Sequence, residues 1–537
     1  MNKSVLIHFG LAATGAFSLQ LWLGEPSGSP MGHSSVSSLI ALFLLFSVLI
    51  FGKLDKRPGR FWLLPAILGS ILLSGWASGN SVIFVCFYGL LVLYGLAELL
   101  WMTLGRIRKG GAALLFSLLL IPVLGGTWAL QSQRCVPVGD EALGFMKALF
   151  TAVSAVTVTG LSLIDVGSAL SQEGKWILLG LIQLGGLGTV TLFVVFMSVL
   201  GQGLGLRQGR ALSEAMDGMD ASSMKALLVP ILVTTLFIEA VGAFVLNLAA
   251  GFSISWPSFD HLFHSVSAFC NAGFSLHADS ISSFGSFQRS VMAFLIILGG
   301  LGFPVIWAIW KRMKARTNRL GVHVYLSVGT SCLLWLIGGA LLFIGGVSIG
   351  ESAFWSVTCR TAGFSITPVE SLLDQSILIF IVLMLIGASP GSTGGGLKTS
   401  TFGILLIALY HQIFGRDQVQ FMGRTLPDRL VRSASVLVIV YALIWFFLLL
   451  LLHWTESAQL KAGLITQQQI LFEATSALGT VGLSMGITES LTTSSKAVLM
   501  IAMILGRLGP LALIVGLASL SQKKDRVERP EGKVMLG

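Results

Sequence analysis

Four stretches of this chain combine glycine, hydroxyl side chains and apolar flanks in one register. Residues 154–162 read SAVTVTGLS, 267–275 SAFCNAGFS, 357–365 VTCRTAGFS and 476–484 SALGTVGLS. In each, the glycine is followed by Leu or Phe and then Ser, and three of the four open with Ser-Ala six residues earlier. Phe150, Phe263 and Phe472 stand four residues before the Ser-Ala, and Phe354 is one residue off that register. Glycine reaches positive φ without steric cost, so such a loop can turn its carbonyl oxygens toward an axis. A ring of carbonyl dipoles replaces the hydration shell of a dehydrated monovalent cation. Few carboxylates lie in these loops, which argues against a divalent-cation pore. The candidate ion ligands are Thr157, Val158, Thr159 and Gly160; Asn271, Ala272 and Gly273; Thr361, Ala362 and Gly363; and Thr480, Val481 and Gly482. Turns needed only for packing are the alternative, and fourfold recurrence in register speaks against it.

Two irregularities follow the loops. Leu184-Gly185-Gly186-Leu187-Gly188 recurs as Leu298-Gly299-Gly300-Leu301-Gly302 and as Leu505-Gly506-Arg507-Leu508-Gly509. Gly186, Gly300 and Arg507 lie 26, 27 and 25 residues beyond their loop glycines, so Arg507 replaces a glycine at equal depth. A charge within a membrane is costly and therefore a functional candidate. We read Arg507 as a gate or barrier; the structural alternative pairs it with Glu239 or with helix-end carbonyls. In the third unit the apolar run 376–411 has 36 residues, roughly 54 Å as one helix against about 30 Å of hydrocarbon. It must break, at Gly387-Ala388-Ser389-Pro390-Gly391-Ser392-Thr393-Gly394-Gly395-Gly396-Leu397-Lys398. Leu397 between Gly396 and Lys398 excludes a phosphate-binding Walker loop. Gly391, Ser392, Thr393, Gly394, Gly395, Gly396 and Lys398 are read as a gating segment; a static kink is the alternative.

The elements that must position these residues are membrane helices. Of 537 residues, 54% are hydrophobic and 11% charged, against about 25% charged in a soluble domain. Mean hydropathy is +0.86. Apolar runs at 5–24, 37–52, 61–78 and 82–105 read as four N-terminal spans. From residue 111 a unit of long helix, short helix, glycine loop and long helix begins. Its helices are expected at 111–130, 142–155 and 174–200; 223–250, 257–269 and 288–310; 323–347, 350–358 and 376–411; and 431–453, 467–478 and 494–520. The fold class is thus an all-α polytopic membrane protein with four membrane-pore-membrane repeats of pseudo-fourfold symmetry. Its divisions are 1–110 N-terminal helices, 111–206, 207–319, 320–428 and 429–522 for the repeats, and a 523–537 tail. Twelve spans put 25 basic residues on the side of the termini and 7, Arg360 among them, on the other. The positive-inside rule then places both termini in the cytoplasm and the glycine loops on the outer half. It also accounts for the net charge of +10 without nucleic acid. The five cysteines show neither a zinc spacing nor a disulfide framework, and Cys270 and Cys359 are read as small packing residues. No nucleophile–base or carboxylate pair stands out in the spans, so the chain is read as not an enzyme.

With these motifs in view, residues 111–520 resemble the pore-forming subunit of the Trk/Ktr/HKT potassium transporter superfamily, the bacterial Ktr type above all. The matching stretches are Phe150–Leu161, Asn271–Phe274, Arg360–Phe364, Gly391–Lys398, Gly479–Ser484 and Gly506–Pro510. The resemblance implies potassium uptake through a K⁺-binding filter at the four loops, closed by the segment in the third repeat and by Arg507. Gly160, where a serine goes with sodium preference in the superfamily, favours potassium. It further implies a homodimer in the bacterial plasma membrane, in contact with lipid, on a cytoplasmic nucleotide-binding regulatory subunit. Any nucleotide binds that partner; this chain carries no cofactor motif, since Gly201–Gly205 lacks the dinucleotide spacing. Channel-like and sodium-coupled (symporter) uptake both fit, and a secondary carrier for an organic solute is the alternative class. Cys270, where polar residues are usual, Ala388-Ser389-Pro390, and the four helices before residue 111 depart from the pattern.

Overall fold

Long apolar runs leave the backbone no partner but itself in a membrane, and the described residues are mainly helical. The computed structural model describes residues 111–203, 228–251, 257–315, 320–416 and 418–520. The four expected N-terminal spans, the tail and most of the basic clusters lie outside the described residues. The principal helices are α1 (Gly111–Leu130), α2 (Phe145–Val156), α3 (Gln172–Gly203), α4 (Leu228–Gly251), α5 (Phe259–Phe269), α6 (Ser286–Leu301) and α7 (Phe303–Ala315). They continue as α8 (Val322–Ile344), α9 (Ile349–Thr358), α10 (Asp374–Leu385), α11 (Thr399–Ile413), α12 (Asp428–Thr455), α13 (Gln467–Gly479) and α14 (Thr493–Leu520).

Ile231–Gly251, Val322–Ile344 and Asp428–Thr455 are long and apolar enough to cross a membrane. Large side chains such as Phe237, Leu336 and Phe447 stand exposed along them, as on a lipid-facing surface. The short helices α2, α5, α9 and α13 have 12, 11, 10 and 13 residues, about 15–20 Å, too short to cross. Sequence signals start three of them. Ser258 and Ser348 cap α5 and α9 through the amides of His261 and Glu351, and Thr466 with Gln469 forms a capping box on α13.

Each short helix packs against the long helix before it, α1 on α2, α4 on α5, α8 on α9 and α12 on α13. The helix after each loop packs on the next unit's short helix. Thus α3 meets α5, α6 meets α9, α10 meets α13, and α14 returns to α2. The contacts close a ring in chain order.

Three features differ from expectation. The run 288–310 is not one helix: α6 and α7 are bent by 96° at Gly302, φ 88°. Pro304 explains the break, because proline lacks an amide and disfavours helix at the residue before it. Gly509, directly before Pro510, likewise leaves helical geometry at φ 72°, whereas α3, without that proline, runs on past Gly188. Finally, a two-residue hairpin (β1 Gln420–Phe421, β2 Arg424–Thr425) interrupts the all-α pattern between α11 and α12.

Candidate ion pathway

Each short helix ends where its glycine stretch begins, and the backbone then alternates in handedness. Val158, Asn271, Thr361 and Thr480 have φ of 54°, 58°, 84° and 50°. Two residues on, Gly160, Gly273, Gly363 and Gly482 have φ of 92°, 70°, 76° and 95°, with Thr159, Ala272, Ala362 and Val481 at negative φ between. Alternation of this kind turns successive backbone groups of one type to the same side. The loops also touch one another in order. A Cβ on Gly160 would stand closer than 3.0 Å to Ala272 O, one on Gly273 to Ala362 O, one on Gly363 to Val481 O, and one on Gly482 to Thr159 O. Only glycine fits this ring, at every one of its four corners.

The recurring Ser-Ala has a physical role. Ser154 Oγ accepts from Gly160 N (3.0 Å) and Ser476 Oγ from Gly482 N (3.1 Å). Ser267 Oγ donates to Phe274 O (2.8 Å), and in the third unit, where Val357 stands at the serine position, Thr358 makes the bonds instead to Phe364 N and O, both 2.9 Å. Thr157 and Thr159 share a hydroxyl contact of 2.8 Å, and Thr157 is tied back to Val153 O. Gly185, Gly299 and Gly506 seat the following helices against Val156 O, Phe269 O and Leu478 O, each four residues before a loop glycine. Gly186 lies against Cys270 Sγ, and Cys270 and Cys359 are both free thiols.

The third unit's second helix breaks between α10 and α11, where the length argument requires it. Gly387 N bonds Leu397 O (2.8 Å), which closes residues 387–397 into a loop. The loop is buried and lies under three of the four glycine stretches. Asn271 Nδ2 donates to Thr393 Oγ1 (2.8 Å), while Gly394 abuts Thr361 Oγ1 and Gly395 abuts Thr480 Oγ1. The bend at Gly302 serves this loop: Ser389 N and Thr393 N donate to Gly300 O (3.0 Å) and Gly299 O (3.2 Å), and Phe303 N donates to Gly391 O (3.1 Å). On the remaining side Arg507 donates to Thr393 O and to Gly185 O (2.6 Å), tying the loop to the first unit's helix α3. Lys398 Nζ donates to Gly394 O (2.7 Å). Asn271 Oδ1, Thr361 Oγ1 and Thr480 Oγ1, at the same register of three loops, are buried acceptors without a protein partner.

A family model described as TrkH, cation transport protein, matches residues 127–334 and 344–527. The chain belongs to the TrkH family of cation transport proteins. Its relatives include the Ktr system potassium uptake protein B of Vibrio alginolyticus, 34% identical over 446 residues, 80% of this chain and 96% of the relative. The potassium/sodium uptake protein NtpJ of Enterococcus hirae is 33% identical over 74% of this chain and 91% of its own. The fold is that of the potassium transporter TrkH from Vibrio parahaemolyticus, with TM-score 0.63 over 85% of this chain and 96% of that one at 21% identity.

Two charged residues of this TrkH-family chain have roles that sequence patterns did not reveal. Arg360, counted above among the basic residues on the side opposite the termini, is buried behind the third loop. It donates to Ser331 O (3.2 Å) and Gly387 O (3.1 Å) and lies 5.4 Å from the Trp335 ring centroid. The guanidinium thus braces the third glycine stretch against the start of the broken segment, and without it 6 of the 7 basic residues counted on the side opposite the termini remain. Glu473, fully buried in α13, accepts from Ser484 Oγ (2.5 Å), Met485 N (3.1 Å) and Thr488 Oγ1 (3.0 Å). It holds the fourth loop from behind. Glu473→Leu strands the Met485 amide, at a cost of about 1–3 kcal/mol, whereas Glu473→Gln keeps its oxygen on Met485 N and Ser484 Oγ, and only Thr488 Oγ1 has to turn to accept. Thermal unfolding in detergent is expected to fall markedly for the leucine variant and little for the glutamine one. Equal melting of both with the parent chain contradicts the brace.

Proposed function

We propose that this chain is the pore-forming subunit of a potassium uptake system in the bacterial plasma membrane. Four membrane-pore-membrane repeats, 111–206, 207–319, 320–428 and 429–522, surround one axis with pseudo-fourfold symmetry. The observation that carries the reading is the closed ring of four glycines, each against the preceding carbonyl of its neighbour. Carbonyl oxygens turned to one side at Thr157–Gly160, Asn271–Gly273, Thr361–Gly363 and Thr480–Gly482 replace a monovalent cation's water. The C-terminal ends of α2, α5, α9 and α13 add their negative dipole ends at the same place. Unpartnered acceptors of Asn271, Thr361 and Thr480 suit a cation leaving the ring on its inner side. Potassium is the cargo because the named relatives are potassium uptake proteins and because Gly160 keeps the first loop in register.

Beneath the ring, Gly391–Gly396, Lys398 and Arg507 form the gate, and the arrangement described is the closed one. Both termini face the cytoplasm, and a second copy and a nucleotide-binding regulatory subunit complete the system. A secondary carrier for an organic solute calls for a substrate pocket at mid-membrane, where Thr393, Gly394, Gly395 and Arg507 fill the axis instead. Expression in a bacterium lacking its potassium uptake systems, together with a regulatory subunit, tests the proposal. Growth at low potassium is expected, and its response to sodium separates coupled from channel-like uptake. No rescue at verified membrane expression with the partner present sinks it.

A further inference from the structure

Three side chains at one end of the second unit belong to neither filter nor gate. Asp260 lies in the first turn of α5, His264 one turn on, and His277 in the loop four residues after Gly273. The i,i+4 spacing sets Asp260 and His264 on one helix face. Asp260 Oδ1 is 3.3 Å from His264 Nδ1 and 3.3 Å from His277 Nε2, and one ligand atom from each residue lies within 4.8 Å of the others. The imidazoles stack at 5.2 Å with 13° between planes, and Phe284 packs edgewise on both. His264 is fully buried, whereas Asp260 and His277 are about a third exposed, 33% and 37%, so the cluster opens to one side only.

These distances suit coordination. Zinc bound tetrahedrally by nitrogen and oxygen at about 2.0–2.2 Å holds its ligand atoms roughly 3.3–3.5 Å apart. Imidazole and carboxylate are ligands that zinc takes readily. The outer shell is present as well. His264 Nε2 is 3.0 Å from Ser275 Oγ, which donates to Ser280 O (2.9 Å) and accepts from His277 N (3.0 Å). With the serine proton committed to Ser280 O, His264 donates through Nε2, the orientation that frees Nδ1 for a metal. Nδ1 lies 2.9 Å from Asp260 O, a contact that a metal at Nδ1 would replace.

We infer that Asp260, His264 and His277 form a binding site for a divalent transition-metal ion of the zinc class at the mouth of the pore. The site reaches the filter through hydrogen bonds. Ser275 lies two residues beyond Gly273; Ser280 Oγ accepts from Ser365 N (3.1 Å), and Ile281 N donates to Ser365 O (3.2 Å), two residues beyond Gly363. Metal at His264 and His277 therefore stiffens the second and third loops together. That the mouth is the outer one rests on the topology proposed above; the binding site itself does not.

The test uses the purified full chain in detergent, titrated with cobalt(II) alone as the spectroscopic stand-in. Expected are the visible bands of a tetrahedral cobalt site, one equivalent more in the parent chain than in His277→Ala or Asp260→Asn, lost on adding zinc and weakened by acidification. His277 is half-buried and its loss leaves the packed His264 in place, so the variant's melting curve checks that it folds. Cobalt binding of equal stoichiometry and spectrum in parent and variants overturns the site, as does absence of tetrahedral bands in the folded parent. Rubidium uptake into proteoliposomes then reads the coupling: zinc on the loop side is expected to lower it several-fold in the parent and to leave His277→Ala unchanged. Cobalt binding without any rubidium uptake would retain the metal site and count against the transport reading alone.

Discussion

Arg507→Ala is expected to raise potassium or rubidium flux through the chain at least several-fold. The guanidinium makes two charge-assisted bonds, one to Thr393 O on the buried segment and one to Gly185 O on the opposite helix. Bonds to a charged group contribute about 1.5–3 kcal/mol each. A net loss of about 1.5–3 kcal/mol in holding the segment closed shifts a two-state gate roughly 10- to 150-fold toward open. Removing a positive charge from beneath the proposed cation filter works in the same direction. Arg507→Lys separates the two causes. Lysine keeps the charge but presents one compact ammonium, which cannot span both carbonyls as the forked guanidinium does. Flux between parent and alanine variant is expected for it. Proteoliposome flux and single-vesicle counting, which corrects for protein number, make the measurement. Unchanged or lower flux in Arg507→Ala, with the protein folded, removes the gate assignment.

The contacts of the buried segment are asymmetric because the four units are. Thr393, Gly394 and Gly395 reach the second, third and fourth loops at the residue two before each glycine. The first loop has Val158 there, an apolar residue with nothing to offer the segment, and the first unit is instead reached by Arg507 through Gly185 O. One broken helix and one arginine together therefore touch all four units. The packing leaves little slack, since a Cβ on Gly394 or Gly395 would collide with Thr361 or Thr480. If the proposed gate opens, the segment is expected to move as a body rather than by rotation of single side chains.

Much of this was legible in the residues. The short helices were legible within a few residues because the glycine stretches bound all four at their C-terminal ends and capping side chains start three of them. The break at 387–398 followed from length alone, since one helix of that run overshoots a bilayer. The bend at Gly302 was equally written in the sequence, in Pro304 two residues later, but the Leu-Gly-Gly-Leu-Gly repeat suggested equivalence with the first unit, where α3 stays straight. Arg360 escaped because a count of charges by side of the membrane has no means of seeing burial. Contacts such as Asn271 with Thr393, 122 residues apart, and Arg507 with Gly185, 322 apart, depend on tertiary packing that no local pattern encodes. The cluster of Asp260, His264 and His277 sits between the two cases: the i,i+4 pair was readable, and the third member was brought in by the loop.

Gly160→Ser is expected to reduce discrimination of potassium over sodium roughly tenfold. Gly160 has φ 92°, and a Cβ there would stand closer than 3.0 Å to Ala272 O, which belongs to the neighbouring loop. A non-glycine residue in left-handed backbone costs about 1–2 kcal/mol even without that collision, and each 1.4 kcal/mol is a factor of ten in an equilibrium. Two responses relieve the clash. Either Gly160 rotates toward negative φ and swings its carbonyl off the axis, or Ala272 O retreats. Both take one oxygen from a ring of four, and the shell that remains suits the smaller ion, which keeps part of its water. Ser154 still binds the amide of residue 160 and holds the loop in place, so the variant is expected to fold and conduct. Reversal potentials, or rubidium uptake competed by sodium, in parent and variant give the ratio. A ratio unchanged in a folded, conducting variant would mean that residue 160 does not line the filter, and the ring of glycines would then be a packing device alone.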